Sequence, residues 1–530
     1  MSKRHDSTTR RTPENGGSTS GGIAALRRLA LSSAVFAASA AVRGASRFLL
    51  IPLLVRYLSQ AQYGLLGTLN SVAGLLTMCL TLGLDEAVAR EFFDYRDRSG
   101  ALRSYLTTIL LYLGGSSSLV LLLAVAGVPL IARWLLPGSA ATIVQFFAVV
   151  LGMAALSSFL SVLGVLLRVR RRAVAFGLSQ IALAGLLVGL TAVALMGFRW
   201  QVAGVMLAQV TSIGLVVAVL VGLFIYEDTP LGDRLRRLSA LPMRTCDFRQ
   251  EAVAPDGERR SPLFDRAKLR KALSYGLPLL PYAAANWCTS ASDRLILTGL
   301  RTMEEVGVYN LGYSLAMVMN VIVVTPINFA YAPHFYEAAS RDPLARKQFA
   351  FNAELYVAVV GSICLIGMLF SGEFVSIIAP ASYSGAQPVI AICVLAFYFL
   401  GIYLVVSLPL FFMKRTKPIA CISIAGAVLN ILANLLFVPI IGIVGAALTT
   451  LLAYVLMAVL AGVLARRVYP IPYRWSHLWG IPAAVAGFGF AFQAGALVSK
   501  VLLVLGFVAA AGVLTLRLKH KLPPGTTVSP

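Results

Sequence analysis

Long apolar runs of about 20 residues, separated by short polar stretches, repeat from one end of the chain to the other. A run of that length crosses roughly 30 Å of hydrocarbon as an α-helix rising about 1.5 Å per residue. Barrel strands are about half as long and alternate apolar with polar positions, which these runs do not. Fourteen spans are predicted, at 31–55, 65–84, 105–130, 143–167, 173–197, 201–226 and 273–299, then 306–332, 352–371, 388–412, 418–437, 441–465, 476–496 and 500–516. The predicted fold is an all-α polytopic membrane protein. It has a six-span lobe over 31–226, a cytoplasmic linker over 227–272, a second six-span lobe over 273–467, and two extra spans over 468–518. Residues 1–30 and 519–530 read as cytoplasmic tails. The first 22 residues, rich in Ser, Thr, Gly and Arg, are expected to be disordered.

Composition agrees: 58% of the 530 residues are hydrophobic and 13% charged, against about 45–50% and about 25% in soluble domains. The formal charge of +23 raises the question of nucleic acid, and the placement of the basic residues answers it. With the amino terminus inside, 37 of the 45 Lys and Arg fall on the cytoplasmic side and five outside, namely Arg56, Arg133, Arg199, Arg301 and Lys500. The remaining three, Arg43, Arg47 and Arg294, lie within spans. That asymmetry predicts a multi-pass protein of the cytoplasmic membrane with both termini inside, and no nucleic-acid partner. Arg27 and Arg28 ahead of an apolar run containing "ASA" at 38–40 also fit a cleaved signal peptide, but removing the first span would leave an odd number. Six cysteines avoid the outside loops, four histidines are scattered, and no phosphate-binding loop is present. The expectation is therefore no disulfide framework, metal site, cofactor or nucleotide engine.

The one long hydrophilic interruption, 226–271, mixes eleven basic with eight acidic residues and reads as a solvated interlobe linker. Residues 63–94 laid over 306–337 at an offset of 243 match Gly64 with Gly307, Ser71 with Ser314, Ala73 with Ala316 and Phe92 with Phe335. Both stretches start outside and end in a charged inside segment. Two six-span halves of like orientation imply a pseudo-two-fold axis along the membrane normal, with the transport site between them.

Charges inside spans carry the chemistry, because an Arg or Asp at mid-bilayer costs about 2.5–3.5 kcal/mol on insertion scales. In "SAAVRGASRFLLIPLL", Arg43 and Arg47 lie one turn apart on the face that holds Ser39 and Ser46. Two like charges without an intrahelical acid suit an anionic ligand, and guanidinium forks suit phosphate oxygens. The other reading is a buried pair neutralised by carbonyls. In the seventh span Asn286, Thr289, Ser290 and Asp293 form a polar stripe beside Arg294. Asp293 and Arg294 read either as a structural ion pair or as a gate or ion-coupling site, with Asp293 close to Arg47 across the lobes. Asn70, Tyr309, Asn310, Tyr313, Ser314 and Asn320 add hydrogen-bonding groups that suit sugar hydroxyls lining a cavity, or that tie helix to helix. Pro326 is expected to kink the eighth span. The run "RVRRR" at 168–172 reads as a topology signal in contact with anionic membrane lipids.

Three stretches, "RYLSQAQYGLLGTLNSVAGLL", "YGLPLLPYAAANWCTSASDRLILTGLRTMEEVGVYNLGYSLAMVM" and "NILANLLFVPIIGIVGAALTTLLAYVL", resemble the polysaccharide transporter family. That family includes the O-antigen flippases of the multidrug, oligosaccharidyl-lipid and polysaccharide exporter superfamily. The resemblance covers residues 30 to 467. It implies a V-shaped pair of six-helix lobes, with the first, second, seventh and eighth spans lining a cavity. It further implies a flippase that carries an undecaprenyl-diphosphate-linked glycan to the outer leaflet by alternating access, coupled to protons, sodium or membrane potential. Export proteins such as a polysaccharide polymerase are the partners it implies. A multidrug exporter would place acidic groups within a lobe, where only Asp293 stands clearly inside a span and Glu354 near an end. A peptidoglycan lipid-precursor flippase would share the anionic-headgroup logic. An enzyme is disfavoured, since the short outside loops hold no acid, base or nucleophile constellation.

Overall fold

The computed structural model describes residues 42, 44, 46, 48–95, 99–135, 140–170, 172–226, 264–341 and 345–519. Arg43, Arg47, the two tails and residues 227–263 of the linker lie outside the described residues. Among the described residues the chain is an all-α membrane protein. The first lobe comprises α1 (Phe48–Tyr57), α2 (Gln60–Thr81), α3 (Leu84–Tyr95), α4 (Ser99–Leu135), α5 (Ala140–Val169), α6 (Ala173–Ala192) and α7 (Gln201–Tyr226). After the linker come α8 (Arg266–Gly276), α9 (Leu280–Leu300), α10 (Met303–Met319), α11 (Thr325–Arg341), α12 (Ala345–Leu369), α13 (Ser371–Ile378), α14 (Ala386–Phe412) and α15 (Thr416–Val468). The chain closes with α16 (Trp475–Ala491) and α17 (Leu497–Lys519).

Every predicted span is largely helical over its described residues. Among the described residues nine stretches are long and apolar enough to cross a membrane. α9 has the length but carries the polar stripe. The predicted eleventh and twelfth spans form one element, α15, broken at Gly442, whose φ of +61° favours glycine. Arg301 seals that break: its Nε and Nη2 donate to the Val438 carbonyl at 3.1 and 2.9 Å, and Nη2 also donates to the Pro439 carbonyl at 3.0 Å. A cation there meets carbonyls that a helix end leaves unpaired.

The repeat is visible in local chemistry. Ser59 and Gln62 form a capping box at the start of α2: Gln62 N donates to Ser59 Oγ (3.2 Å) and Ser59 N donates to Gln62 Oε1 (3.0 Å). At the offset of 243 stand Thr302 and Glu305, where Glu305 N donates to Thr302 Oγ1 (3.3 Å) at the start of α10. α2 and α10 then cross backbone to backbone. Gly64 lies against the Met303 carbonyl and Gly307, and Gly307 lies against the Gln60 carbonyl. Gln60 and Met303 are themselves an offset pair, so the contact is reciprocal, as a two-fold axis between two like halves requires. Gln60 Nε2 adds a bond to the Ser382 carbonyl (2.6 Å), and the rings of Tyr63 and Tyr383 meet edge to face. The two lobes are sealed at this end of the molecule.

Where the first repeat ends α2 at Leu82 and Gly83, the second runs through a π turn (Asn320–Val324) into α11. Pro326 sits just after that turn, so the expected distortion is taken up as a widened turn one step earlier. In the second lobe α14 is apolar on all sides, and α10, α12 and α15 surround it. α16 and α17 pack on α12. Polar contacts hold this end of the chain to α12 and α13: Lys500 Nζ donates to Glu373 Oε1 (2.6 Å), Gln493 Nε2 to Ser371 Oγ (2.7 Å), and His477 Nδ1 lies 3.3 Å from Glu354 Oε2. Lys500, read in the sequence as an outside-loop charge, is thus buried in a helix contact.

Candidate functional site

α9 tolerates its polar residues because most bond back to their own helix. Thr289, Ser290, Ser292 and Thr298 donate to the carbonyls of Ala285, Asn286, Cys288 and Arg294 at 2.6–2.9 Å. Asp293 is an acceptor only and must look elsewhere. It is fully buried, and it faces the interior of the second lobe. Tyr309 Oη and Thr450 Oγ1 each donate to its Oδ2 at 2.7 Å, and Asn434 Nδ2 donates to its Oδ1 at 2.8 Å. Asn430 completes the cage: its Oδ1 accepts from Ser292 Oγ (3.2 Å) and lies 3.3 Å from Asn434 Nδ2. Two amide atoms of the cage, Asn430 Nδ2 and Asn434 Oδ1, are buried without a hydrogen-bond partner.

Arg294 leaves the helix about 100° around from Asp293. Its Nε donates to Asn310 Oδ1 (2.9 Å), its Nη1 to the Ser290 carbonyl (3.3 Å), and its guanidinium lies 4.4 Å from the centre of the Tyr313 ring. The two neighbours therefore do not form the ion pair that their adjacency suggested; neutral groups hold each, Asp293 from α10 and α15 and Arg294 from α10 and its own helix. Asp293 is also not turned toward the first lobe: the donors from α10 and α15 draw its carboxylate the other way.

The remaining predicted positions divide. Tyr309, Asn310 and Tyr313, expected to line a cavity, are packed inside helix contacts instead. The Tyr309 hydroxyl serves Asp293, and the Asn310 amide and the Tyr313 ring serve Arg294. Asn286 is exposed, and Asn70, Ser290, Ser314 and Asn320 remain partly exposed. Asn430, Asn434 and Thr450 were not singled out from the sequence. The signal was the pair of asparagines four apart in "NILAN", one helical turn inside an apolar span.

The model of the family described as polysaccharide biosynthesis protein matches residues 34–339. A protein of the Lsg locus of Haemophilus influenzae is 22% identical over 180 residues, a match covering 33% of this chain and 45% of that protein. Among solved structures, the lipid II flippase MurJ in an inward closed conformation superposes with a TM-score of 0.63 at 11% identity, over 93% of this chain and all of that one. An inward-facing MATE family multidrug transporter of the MOP superfamily gives 0.54 at 15% identity, over 80% of this chain and 97% of its own. At such identities the likeness establishes the fold of paired lobes. With the family model spanning more than half of its length, the chain belongs to the polysaccharide biosynthesis protein family.

Proposed function

We propose that the protein flips a polyprenyl-diphosphate-linked oligosaccharide, an O-antigen, capsule or exopolysaccharide repeat unit, from the inner to the outer leaflet of the bacterial cytoplasmic membrane. It does so by alternating access, with both termini cytoplasmic and without catalysing a reaction. The observation that carries the reading is the reciprocal contact at the offset of 243. It supports reading the sequence at that offset, where Asn286 and Ser290, both accessible, correspond to Arg43 and Arg47 of the first span. In this reading Arg43 and Arg47 supply guanidinium forks for a diphosphate, and Asn286 and Ser290 supply amide and hydroxyl for sugar. The lipid tail stays in the bilayer, and polymerase and other export proteins take the product.

Energy enters through Asp293. A carboxylate in a dry interior costs several kcal/mol unless compensated. Here the compensation comes from neutral donors, with no cation in ion-pair range among the described residues. The cage fits a proton or a sodium ion: a proton would neutralise the carboxylate directly. For sodium, turning the Asn434 amide would replace its donated bond by the orphaned Oδ1 beside Asp293 and Thr450 oxygens. The likeness to MurJ supports a peptidoglycan lipid precursor as the second reading.

The test is translocation of lipid-linked glycan by the Arg43→Ala/Arg47→Ala double variant, with membrane insertion checked in parallel. Loss of transport with normal insertion is expected. Wild-type transport by that variant discards the diphosphate reading, and rescue of a strain lacking its peptidoglycan precursor flippase would select the second cargo.

A further inference from the structure

The crossing of α2 and α10 obeys its two-fold at three pairs of positions and breaks it at a fourth. Gly64 pairs with Gly307, Gln60 with Met303, and Ser59 with Thr302. The offset also pairs Gly67 with Asn310, and these two face each other. A Cβ at Gly67 would stand 2.7–2.9 Å from the Asn310 carboxamide atoms. Two side chains cannot share that point on the axis, and glycine on one side makes a socket for the amide on the other. Inside the socket Asn310 Nδ2 reaches the Tyr63 carbonyl of α2 at 3.4 Å, while its Oδ1 accepts from Arg294 Nε at 2.9 Å. The Tyr313 ring under the guanidinium fixes Arg294 in turn. The arginine thus decides which way the amide points: with Oδ1 committed to the guanidinium, Nδ2 is left to the first lobe. The first lobe has no such device, because Ile51 stands at the place of Arg294.

We propose that Asn310 is the bolt between the lobes and Arg294 its positioning residue: the sealed end opens when the amide leaves the Gly67 socket. This rests on the transport reading only for alternating access, not for its cargo, and the experiment needs no substrate. Spin labels at Arg56→Cys and Glu304→Cys, both exposed and on opposite lobes at the sealed end, report the interlobe distance in a background without native cysteines. Asn310→Ala and Arg294→Ala should each move the population toward the longer distance by about two- to ten-fold. The double variant should move it no further, because one acts through the other. Asn310→Ser, shorter in reach, serves if Asn310→Ala fails to fold. The exchange Gly67→Asn/Asn310→Gly separates fit from positioning. It should keep the melting temperature, since the volumes swap across the axis, yet leave the end open, since Ile51 cannot orient the moved amide. An unchanged distance distribution in Asn310→Ala overturns the proposal, as do independent, additive shifts from Arg294→Ala, or an exchange variant that closes like the wild type.

Discussion

The two lobes share a backbone plan and differ in what they hide. At the offset of 243, Asp293, Arg294 and Tyr309 of the second lobe correspond to Leu50, Ile51 and Leu66 of the first, all three buried. The apolar version stabilises its lobe by burial alone, at roughly 1.5–3 kcal/mol per large side chain. The polar version requires each donor and acceptor to find a partner, and leaves two amide atoms without one. A fold that can be built from leucine does not need the aspartate for stability. The difference sets a caged carboxylate in one lobe against a matching apolar core in the other, within a symmetric frame.

Making the second lobe imitate the first is the severest test. Asp293→Leu strands the Tyr309 hydroxyl, at a cost of about 1–3 kcal/mol, while the Asn434 amide and the Thr450 hydroxyl fall back on the Asn430 and Ala446 carbonyls. It should uncouple transport from the ion gradient by about 5- to 150-fold, the usual range of coupling between sites. Gradient-driven flipping in proteoliposomes measures this, and undiminished coupling would place the ion elsewhere. Thr450→Val removes one donor to the carboxylate while keeping its volume. A hydrogen bond to a charged group contributes about 1.5–3 kcal/mol. The ion concentration for half-maximal transport should therefore shift by roughly one to two orders of magnitude with the fold intact, which a titration of transport against sodium or pH resolves.

The shared frame can be tested where the halves are alike. Gly64→Ala and Gly307→Ala each force a methyl against the backbone of the opposite helix, an overpacking that costs about 1–3 kcal/mol. The reciprocal contact predicts nearly equal losses of melting temperature for the two. A several-fold imbalance would mean that the axis does not pass between them. The smallest effect belongs to the two extra helices, which have no counterpart in the first lobe. Burial raises the Glu373 carboxyl, but the Lys500 bond, a backbone N–H and the Lys500 charge together outweigh this and leave it below its ordinary value of 4.5. A lowered carboxylate adds stability above its unfolded pKa, and that stability is lost as pH falls through the lower folded value. The pair is partly exposed, so the loss should be under about 1 kcal/mol. Amide exchange in α17 should rise only in acid below about pH 4.5, and Lys500→Met should remove that pH dependence.

Much of this was legible in the sequence because hydrocarbon imposes a length and a polarity on every span. The helical spans, the two like halves and the polar stripe that holds Asp293 and Arg294 follow from that constraint. The partners of Asp293 do not. A polar residue on a membrane helix satisfies the same pattern whether it faces a cavity or a neighbouring helix, so Tyr309, Asn310 and Tyr313 were expected in the cavity and are found in the packing. Asn434 and Thr450 lie 141 and 157 residues from Asp293, and nothing in helical periodicity joins segments so far apart. The loop between the eleventh and twelfth spans is predicted at 438–440, and the break falls at Gly442, just inside the predicted twelfth span. Its sealing by Arg301, 137 residues before Val438, was not legible.

That seal has a mechanical consequence. Arg301 ends the helix that bears Asp293 and grips the hairpin that supplies Asn434 and Thr450, so the caged carboxylate is bracketed by a rivet one helix-end away. The rivet ties α9 to that hairpin, so sliding one past the other would break three hydrogen bonds at once. A displacement at the carboxylate is then expected to move α9 and the hairpin together.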